Sequence, residues 1–295
     1  MVRAVVTSIL YSLNLLLWGT LILLGGIVRL AIPPRRRRWI ILFLAWLADR
    51  WVEGNDRITD MMIPTRWEIE HVDGVNRNGR YLVLSNHISS LDILAIFRAF
   101  HGRSAFVRFF LKSELIWFPI LGLACWGLEF PFMKRHKPEY LAKHPEKRGQ
   151  DLETTRRAAR RYAKIPVTIL NFAEGTRFSE RKRDQQQSPY RHLLRPRAGG
   201  VSFVLASMGD YLDAIIDLTV IYPGHQLTMW DFLCGRVPHI IVRARRIEVP
   251  PEFLDKAVTE PGPVRDRFKG WLDQLWKEKD ELIERTVNEA TISAA

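Results

Sequence analysis

Short apolar runs alternate along the chain with longer amphipathic stretches, and both follow one long apolar segment near the N-terminus. The short runs are rich in β-branched and aromatic residues and predict β-strands. These strands are expected at 67–71, 81–85, 105–110, 128–133, 167–172, 218–221 and 240–245. Apolar residues at helical spacing predict helices at 91–100, 138–163, 199–208 and 264–287. The alternation predicts an α/β fold with a single mainly parallel sheet flanked by helices.

The N-terminal segment has the length and composition of a membrane anchor. Ala4 to Val28 is a run of 25 residues without a charge, about 37 Å long as a helix, against a hydrocarbon core of about 30 Å. Trp39 to Ala48 adds ten uncharged residues, too few to cross, and its tryptophans favour an interfacial helix. A hairpin of both segments embedded in one leaflet is the alternative. The chain is thus divided into an anchor, 1–53, and a domain, 54–295.

The charge of the chain indicates an anionic partner. Lys and Arg number 44 against 32 Asp and Glu, a net charge of +12. The run Arg35 to Arg38 follows the apolar segment, which by the positive-inside rule predicts that this side is cytoplasmic and suits a phospholipid membrane. A second basic cluster could receive the phosphates of coenzyme A or an acidic carrier protein: Arg177, Arg181, Lys182, Arg183, Arg191, Arg195 and Arg197. Nucleic acid is the rival partner, but no recognition motif accompanies the charge, so none is expected.

The first candidate for chemistry is the pair His87 and Asp92. The predicted strand 81–85 ends just before His87, and a predicted helix begins near Leu91, so the histidine falls in a connecting turn. An aspartate bonded to one imidazole nitrogen would leave the other free to remove a proton from an attacking alcohol. The alternatives are a turn histidine bonded to backbone and an aspartate that forms a capping box with Ser89. Capping and catalysis are compatible at Asp92.

The second candidate follows the predicted strand 167–172, in the segment Glu174-Gly-Thr-Arg177. Ligands of open α/β sheets bind at the carboxyl ends of strands, so this segment and His87 are expected at one edge. Arg177 would bind the phosphate of an acceptor such as lysophosphatidic acid through its planar fork, Gly175 would allow close backbone approach, and Thr176 would donate a further bond. Glu174 would orient Arg177 or a backbone amide. Arg197 stands where a helix is expected to start and is a further phosphate-binding candidate.

Asn86-His-x-x-x-x-Asp92 and Phe172-x-Glu-Gly-Thr-Arg177 resemble the first and third blocks of the glycerophospholipid acyltransferases, which acylate lysophosphatidic acid. Gly127 to Arg135 resembles the second block and implies that Arg135 helps to hold the glycerol phosphate. In the candidate fourth block, 218–223, a single proline departs from the family pattern. Further segments within 121–157 are similar to bacterial inner-membrane acyltransferases of the YihG type.

The resemblance implies transfer of an acyl group from acyl-CoA or acyl carrier protein, as co-substrate, to the sn-2 hydroxyl of lysophosphatidic acid or another lysophospholipid. It implies no cofactor and no metal. The catalytic domain would lie on the cytoplasmic side of a bacterial inner membrane. A catalytically inactive lipid-binding protein is the alternative, and it would require a broken His87 and Asp92 pair.

Covalent and nucleotide-dependent chemistries lack their motifs. The chain has no G-x-S-x-G, no H-E-x-x-H, no G-x-x-x-x-G-K and no G-x-G-x-x-G after a strand. Its two cysteines are isolated, and Cys125 lies in an apolar segment typical of a buried thiol. Direct attack on a thioester needs no acyl-enzyme, because the thiolate is already a good leaving group.

Overall fold

The computed structural model describes residues 1–71, 73–134, 165–224 and 228–292, and five residues between 134 and 165: Glu153, Arg157, Ala158, Arg161 and Tyr162. Within these residues, eight strands form a six-stranded sheet and a separate two-stranded one. Their bounds are β1 Arg66–Ile69, β2 Arg80–Ser85, β3 Val107–Phe109, β4 Leu111–Lys112, β5 Phe132–Met133, β6 Val167–Phe172, β7 Ala214–Ile221 and β8 His239–Ile247. The large sheet has the order β1-β8-β7-β2-β6-β3.

The sheet is mainly parallel, as the sequence predicts. Strands β7, β2, β6 and β3 run parallel to one another, whereas β8 pairs antiparallel with β7, and β1 pairs parallel with β8. The helices are α1 Val2–Ala31, α2 Arg37–Met62, α3 Asp92–Phe100, α4 Leu121–Gly127, α5 Glu180–Gln185, α6 Ala198–Met208, α7 Met229–Leu233 and α8 Pro263–Ile292. The predicted helices at 91–100, 199–208 and 264–287 correspond to α3, α6 and α8. Most of the predicted helix 138–163 lies outside the described residues.

Apolar side chains cover both faces of the sheet. Along β2, Tyr81 and Val83 enter a core with α2 and α3, whereas Leu82 and Leu84 enter a second core with α6 and α8. This alternation is the side-chain period of a strand that is buried on both faces. It accounts for the continuous apolar run by which the strand is recognised in the sequence.

Two predicted elements differ from the structure. The ten-residue helix at Trp39–Ala48 is wrong in length, since α2 has 26 residues and passes position 53, where the sequence placed a domain boundary. Its second half is charged on one side but buries Val52 and Thr59 against α1 and the core. The strand predicted at 128–133 is confirmed only at its end, where β5 covers Phe132–Met133. Its start is wrong, because Leu128 caps α4 and Glu129 has a positive φ of 63°, which interrupts extended backbone.

Helices α1 and α2 form an antiparallel hairpin. The Tyr11 hydroxyl lies 2.6 Å from Thr59 Oγ1, and Asn14 Nδ2 donates to the Trp51 carbonyl at 2.9 Å. Nearer the turn, Gly25 leaves space that the Leu44 side chain fills. The side-chain amide and hydroxyl groups therefore fix the register of the two helices at the end away from the turn, and apolar packing fixes it nearer the turn.

The same α1 packs on the rest of the molecule along its length. Gly26 lies so close to α4 that a Cβ atom there would be 2.8 Å from Gly127 Cα. One turn on, Arg29 Nη1 lies 2.5 Å from Glu129 Oε1. By length and composition α1 is a candidate for crossing a membrane. One stripe of it is nonetheless buried against protein: Ala4, Thr7, Gly19, Ile22, Gly26 and Arg29.

Candidate active site

The two sequence motifs meet at the carboxyl edge of the sheet. Strands β2 and β6 are neighbours and end in register, with Ser85 opposite Phe172. His87 and Glu174 each follow two residues after their strand. The Phe178 amide also donates to the His87 carbonyl at 2.7 Å. The predicted common edge is therefore confirmed by the strand topology and by a direct hydrogen bond between the turns.

His87 and Asp92 form a hydrogen-bonded pair. His87 Nδ1 lies 2.8 Å from Asp92 Oδ2. The imidazole stacks on the Phe172 ring, with centroids 4.0 Å apart and planes inclined by 15°. The aspartate side chain is fully buried, whereas 19% of the histidine side chain remains exposed. With Nδ1 turned to the carboxylate, Nε2 is the nitrogen that can accept a proton from a substrate.

Asp92 is held by more than the histidine. Its Oδ2 atom accepts from the Ile88 amide at 2.7 Å and from the Ser89 amide at 3.0 Å. The bond to Ser89 is half of the expected capping box, while the Ser89 hydroxyl accepts from Leu91 instead. These donors stabilise the ionised carboxylate in a buried position.

Glu174 connects the two sides of the site and is fully buried. Its Oε1 accepts from the His87 amide at 3.2 Å, and its Oε2 accepts from the Leu194 amide at 3.0 Å. Of its two expected roles, the structure shows contact with backbone amides. Burial raises the pKa of Glu174 to about 8, although both amide bonds act to lower it.

The cationic side chains gather around the turn after β6. Arg177 is exposed, and its Nη1 donates to the Ser90 hydroxyl at 2.8 Å, beside the turn that holds His87. Gly175 has a φ of +72°, and Arg197 packs against it so closely that a Cβ would be 3.1 Å from Arg197 Cδ. Lys182 Nζ donates to Thr176 Oγ1 at 2.8 Å, so the predicted donor Thr176 is here an acceptor. Arg135 lies outside the described residues.

Sequence reasoning assigned no role to two residues that shape this edge. Asn86 pins β2 to β7, because its amide donates to the Val220 carbonyl and accepts from the Val220 amide, both at 2.9 Å. Tyr222, just after β7, donates from its hydroxyl to Asp92 Oδ1 at 2.7 Å. A sequence signal existed for Tyr222, since it directly follows the third strand that ends at this edge. Its partner lies 130 residues away and was not visible in the sequence.

The described residues do not favour metal-dependent or cysteine-dependent catalysis. They contain no group of three or more His, Cys, Asp or Glu side chains placed to hold a metal ion. Burial raises the pKa of Cys125 to about 12, so its thiol is a poor nucleophile at neutral pH. A base of the His87 type, acting on a hydroxyl group, is the chemistry that this edge supports.

A comparison with protein families agrees with this geometry. The family model described as "Acyltransferase" matches residues 66–223, more than half of the chain, and spans both turns of the site. The chain belongs to the acyltransferase family. Assignment to a YihG-type subgroup stays a prediction.

Other members of the acyltransferase family are similar over much of this chain. A mouse 1-acyl-sn-glycerol-3-phosphate acyltransferase epsilon is 24% identical over 227 residues, which are 68% of this chain and 56% of the relative. A zebrafish lysocardiolipin acyltransferase 1 is 24% identical over 286 residues, 91% of this chain and 67% of the relative. The chain thus spans between about half and two thirds of the length of these curated relatives.

The crystal structure of the 1-acyl-sn-glycerophosphate acyltransferase PlsC from Thermotoga maritima shares the fold. It superposes with a TM-score of 0.55 at 14% identity and covers 98% of this chain and 95% of its own. The likeness therefore includes the N-terminal hairpin as well as the sheet. It supports a common architecture for this acyltransferase-family chain.

Proposed function

We propose that this protein transfers a fatty acyl group from a thioester, acyl-CoA or acyl carrier protein, to the sn-2 hydroxyl of lysophosphatidic acid or another lysophospholipid. The observation that carries the proposal is the 2.8 Å contact of His87 Nδ1 with Asp92 Oδ2, at the edge that also holds Arg177. A base and a phosphate-binding cation thus lie on neighbouring turns. Relatives named for acylation of 1-acyl-sn-glycerol-3-phosphate and lysocardiolipin support the acceptor class.

The chemistry follows from the orientation of the imidazole. His87 Nε2 takes the proton of the acceptor hydroxyl as its oxygen forms a bond to the thioester carbon. Collapse of the tetrahedral intermediate breaks the carbon–sulfur bond, and the proton passes from the imidazolium to the leaving thiolate. Asp92 stabilises the positive imidazolium during this step, because its carboxylate is hydrogen-bonded to Nδ1. No covalent acyl-enzyme is formed.

Arg177 and Arg197 bind the acceptor phosphate in this proposal. Both side chains are exposed, and both lie at the turn that follows β6. A guanidinium group binds phosphate oxygens through two parallel hydrogen bonds, which fixes the direction of the ligand as well as its position. The Ser90 hydroxyl that now accepts from Arg177 would be released or shared when phosphate arrives. Arg135 is proposed to assist.

The hairpin of α1 and α2 is proposed to lie in one leaflet of the membrane. One stripe of α1 packs on protein from Ala4 to Arg29, which favours a hairpin held against the domain over a helix that crosses the bilayer alone. Its outward face exposes apolar side chains, as does the start of α2, where Trp39 is 60% exposed. Arg35 to Arg38 at the turn would meet anionic headgroups, in keeping with the cytoplasmic leaflet of a bacterial inner membrane.

The test is an acyl-transfer assay on the full chain in detergent, with labelled acyl-CoA or acyl carrier protein and a panel of lysophospholipids. The proposal expects transfer by the parent protein and a loss of about 10²–10⁴-fold in His87→Ala. His192→Ala is the matched control, because His192 also contacts a carboxylate, Glu284, but belongs to the α8 side of the molecule. Absence of transfer by the parent with every acceptor, or equal activity in His87→Ala, would contradict the proposal.

A further inference from the structure

The carboxylate that pairs with His87 has a second side-chain partner on a third strand end. The Tyr222 hydroxyl donates to Asp92 Oδ1 at 2.7 Å, while His87 and the two backbone amides all contact Oδ2. Among the described residues, Tyr222 is therefore the donor assigned to Oδ1. Residues from the ends of β2 and β7 meet at one buried carboxyl group.

The environment makes this bond different from an ordinary buried tyrosine contact. Tyr162 donates to the main-chain carbonyl of Glu129 at 2.8 Å. Tyr190 donates to the main-chain carbonyl of Asp273 at 3.0 Å, and its contact with the Asp273 carboxylate is longer, at 3.5 Å. Such contacts satisfy a hydroxyl that would otherwise be buried without a partner. Tyr222 instead donates to a carboxylate with no exposed surface, and hydrogen bonds to charged groups are stronger than those to neutral ones.

We infer that Tyr222 is a positioning residue for acyl transfer, which orients Asp92 and thereby fixes the proton of His87 on Nδ1. This inference rests on the proposed function. Two fixed oxygens leave the carboxylate no freedom to rotate about its Cβ–Cγ bond, so Oδ2 stays directed at the imidazole. By sharing the negative charge of Asp92, the phenol also limits how firmly the imidazolium holds its proton. Tyr222 itself contacts no reacting atom.

In the part of the chain that the structure describes, two other ionisable side chains, Glu174 and Arg177, lie beside this pair. Glu174 lies beside it in the turn after β6, where it accepts from the His87 amide, and the nearby Asp92 is one of the groups that raise the pKa of Glu174. Arg177 donates a hydrogen bond to the Ser90 hydroxyl, in the turn between His87 and Asp92. Both are the same in the parent and in Tyr222→Phe, so the difference between the two proteins isolates the phenol.

The test compares Tyr222→Phe with the parent and with Tyr190→Phe, all as full chains in detergent. Ring-nitrogen NMR of 15N-histidine protein follows the titration of His87, which is assigned by the loss of its signal in His87→Gln. Removal of the donor leaves more negative charge on Asp92, which stabilises the imidazolium. The His87 titration midpoint is therefore expected to move to higher pH in Tyr222→Phe and to stay unchanged in Tyr190→Phe.

Kinetics provide a second arm. Tyr222→Phe is expected to lower kcat about tenfold, from the loss of one charge-assisted hydrogen bond, with the KM of donor and acceptor within about twofold of the parent. A parental titration midpoint in Tyr222→Phe would overturn the inference, as would equal changes in Tyr190→Phe. A parent protein without transfer activity would refute the proposed function, whereas the NMR arm would still decide the role of Tyr222.

Discussion

Glu174 Oε1 lies 3.2 Å from the backbone nitrogen of His87, so a buried carboxyl group joins the two turns of the site. Its other oxygen accepts from Leu194, in the segment that leads to Arg197. One side chain thus connects the base-bearing turn, the turn after β6 and the start of α6. Displacement of Glu174 would move the imidazole relative to Arg177 and Arg197, the cations proposed to bind phosphate.

The first prediction concerns the stability of the protein as a function of pH. Burial raises the pKa of Glu174 from 4.5 to about 8, so the folded state binds a proton that the unfolded chain releases. The contribution of this group to stability is complete below about pH 4.5 and is lost as the pH rises toward about 8. We expect the unfolding temperature to fall less between pH 4.5 and about pH 8 in Glu174→Gln than in the parent protein.

Thermal unfolding of the full chain in detergent at a series of pH values measures this effect. Glu174→Gln also replaces one acceptor by an amide donor that faces a backbone N–H, so its overall stability should fall. The test is therefore the slope of the unfolding temperature with pH, not its absolute value. Glu180→Gln, at an exposed position of α5, is the control. A slope in Glu174→Gln as steep as in the parent and the control would refute the prediction.

The position of both motifs at one edge of the sheet could be predicted from the sequence, because β2 and β6 are continuous apolar runs and each motif follows its run directly. The hydrogen-bond partners of Asp92 and Glu174 could not be predicted. Asp92 contacts Tyr222 across 130 residues, and Glu174 contacts Leu194 in a loop whose path no periodicity encodes. The length of α2 was missed for a related reason. Its charged second half reads as polar surface until α1 packs on its other side.

Arg177 provides a prediction about acceptor binding. Arg177→Ala is expected to raise the acceptor KM about tenfold or more and to change the donor KM by less than about twofold, because one charge-assisted contact to phosphate is lost. Arg181→Ala is the matched control, since Arg181 is an exposed cation four residues further on, in α5. Initial-rate kinetics with each substrate varied in turn make the comparison. Equal increases in both constants would argue against phosphate recognition by Arg177.

Membrane attachment is expected to involve a second apolar segment beside the hairpin. Trp117 is 85% exposed and Phe118 is 56% exposed, in a short 3-10 helix and turn that precede α4, and α4 packs on α1. Aromatic side chains beside a lipid-facing helix favour the headgroup region. Changing both residues to alanine should weaken binding to vesicles of phosphatidylethanolamine and phosphatidylglycerol about tenfold.

Vesicle co-sedimentation of the purified full chain measures this binding. Tyr211→Ala is the control, because Tyr211 is an aromatic residue that is 49% exposed just before β7, outside the α1, α2 and α4 segments. Similar binding by the Trp117 and Phe118 double variant and by the parent would restrict the membrane contact to α1 and α2.

Two helical glycines should respond in opposite directions to the same substitution. A Cβ at Gly26 would lie 2.8 Å from Gly127 Cα and 3.3 Å from the Trp126 ring, so Gly26→Ala must separate α1 from α4. We expect a loss of about 1–3 kcal/mol of stability from this overpacking. Gly270 lies within α8 with no atom within 4 Å of an added Cβ, so Gly270→Ala should gain about 0.5–1 kcal/mol from helix propensity alone. Denaturant unfolding in detergent distinguishes the signs, and a stabilised Gly26→Ala would show that α1 does not pack on α4 in the protein.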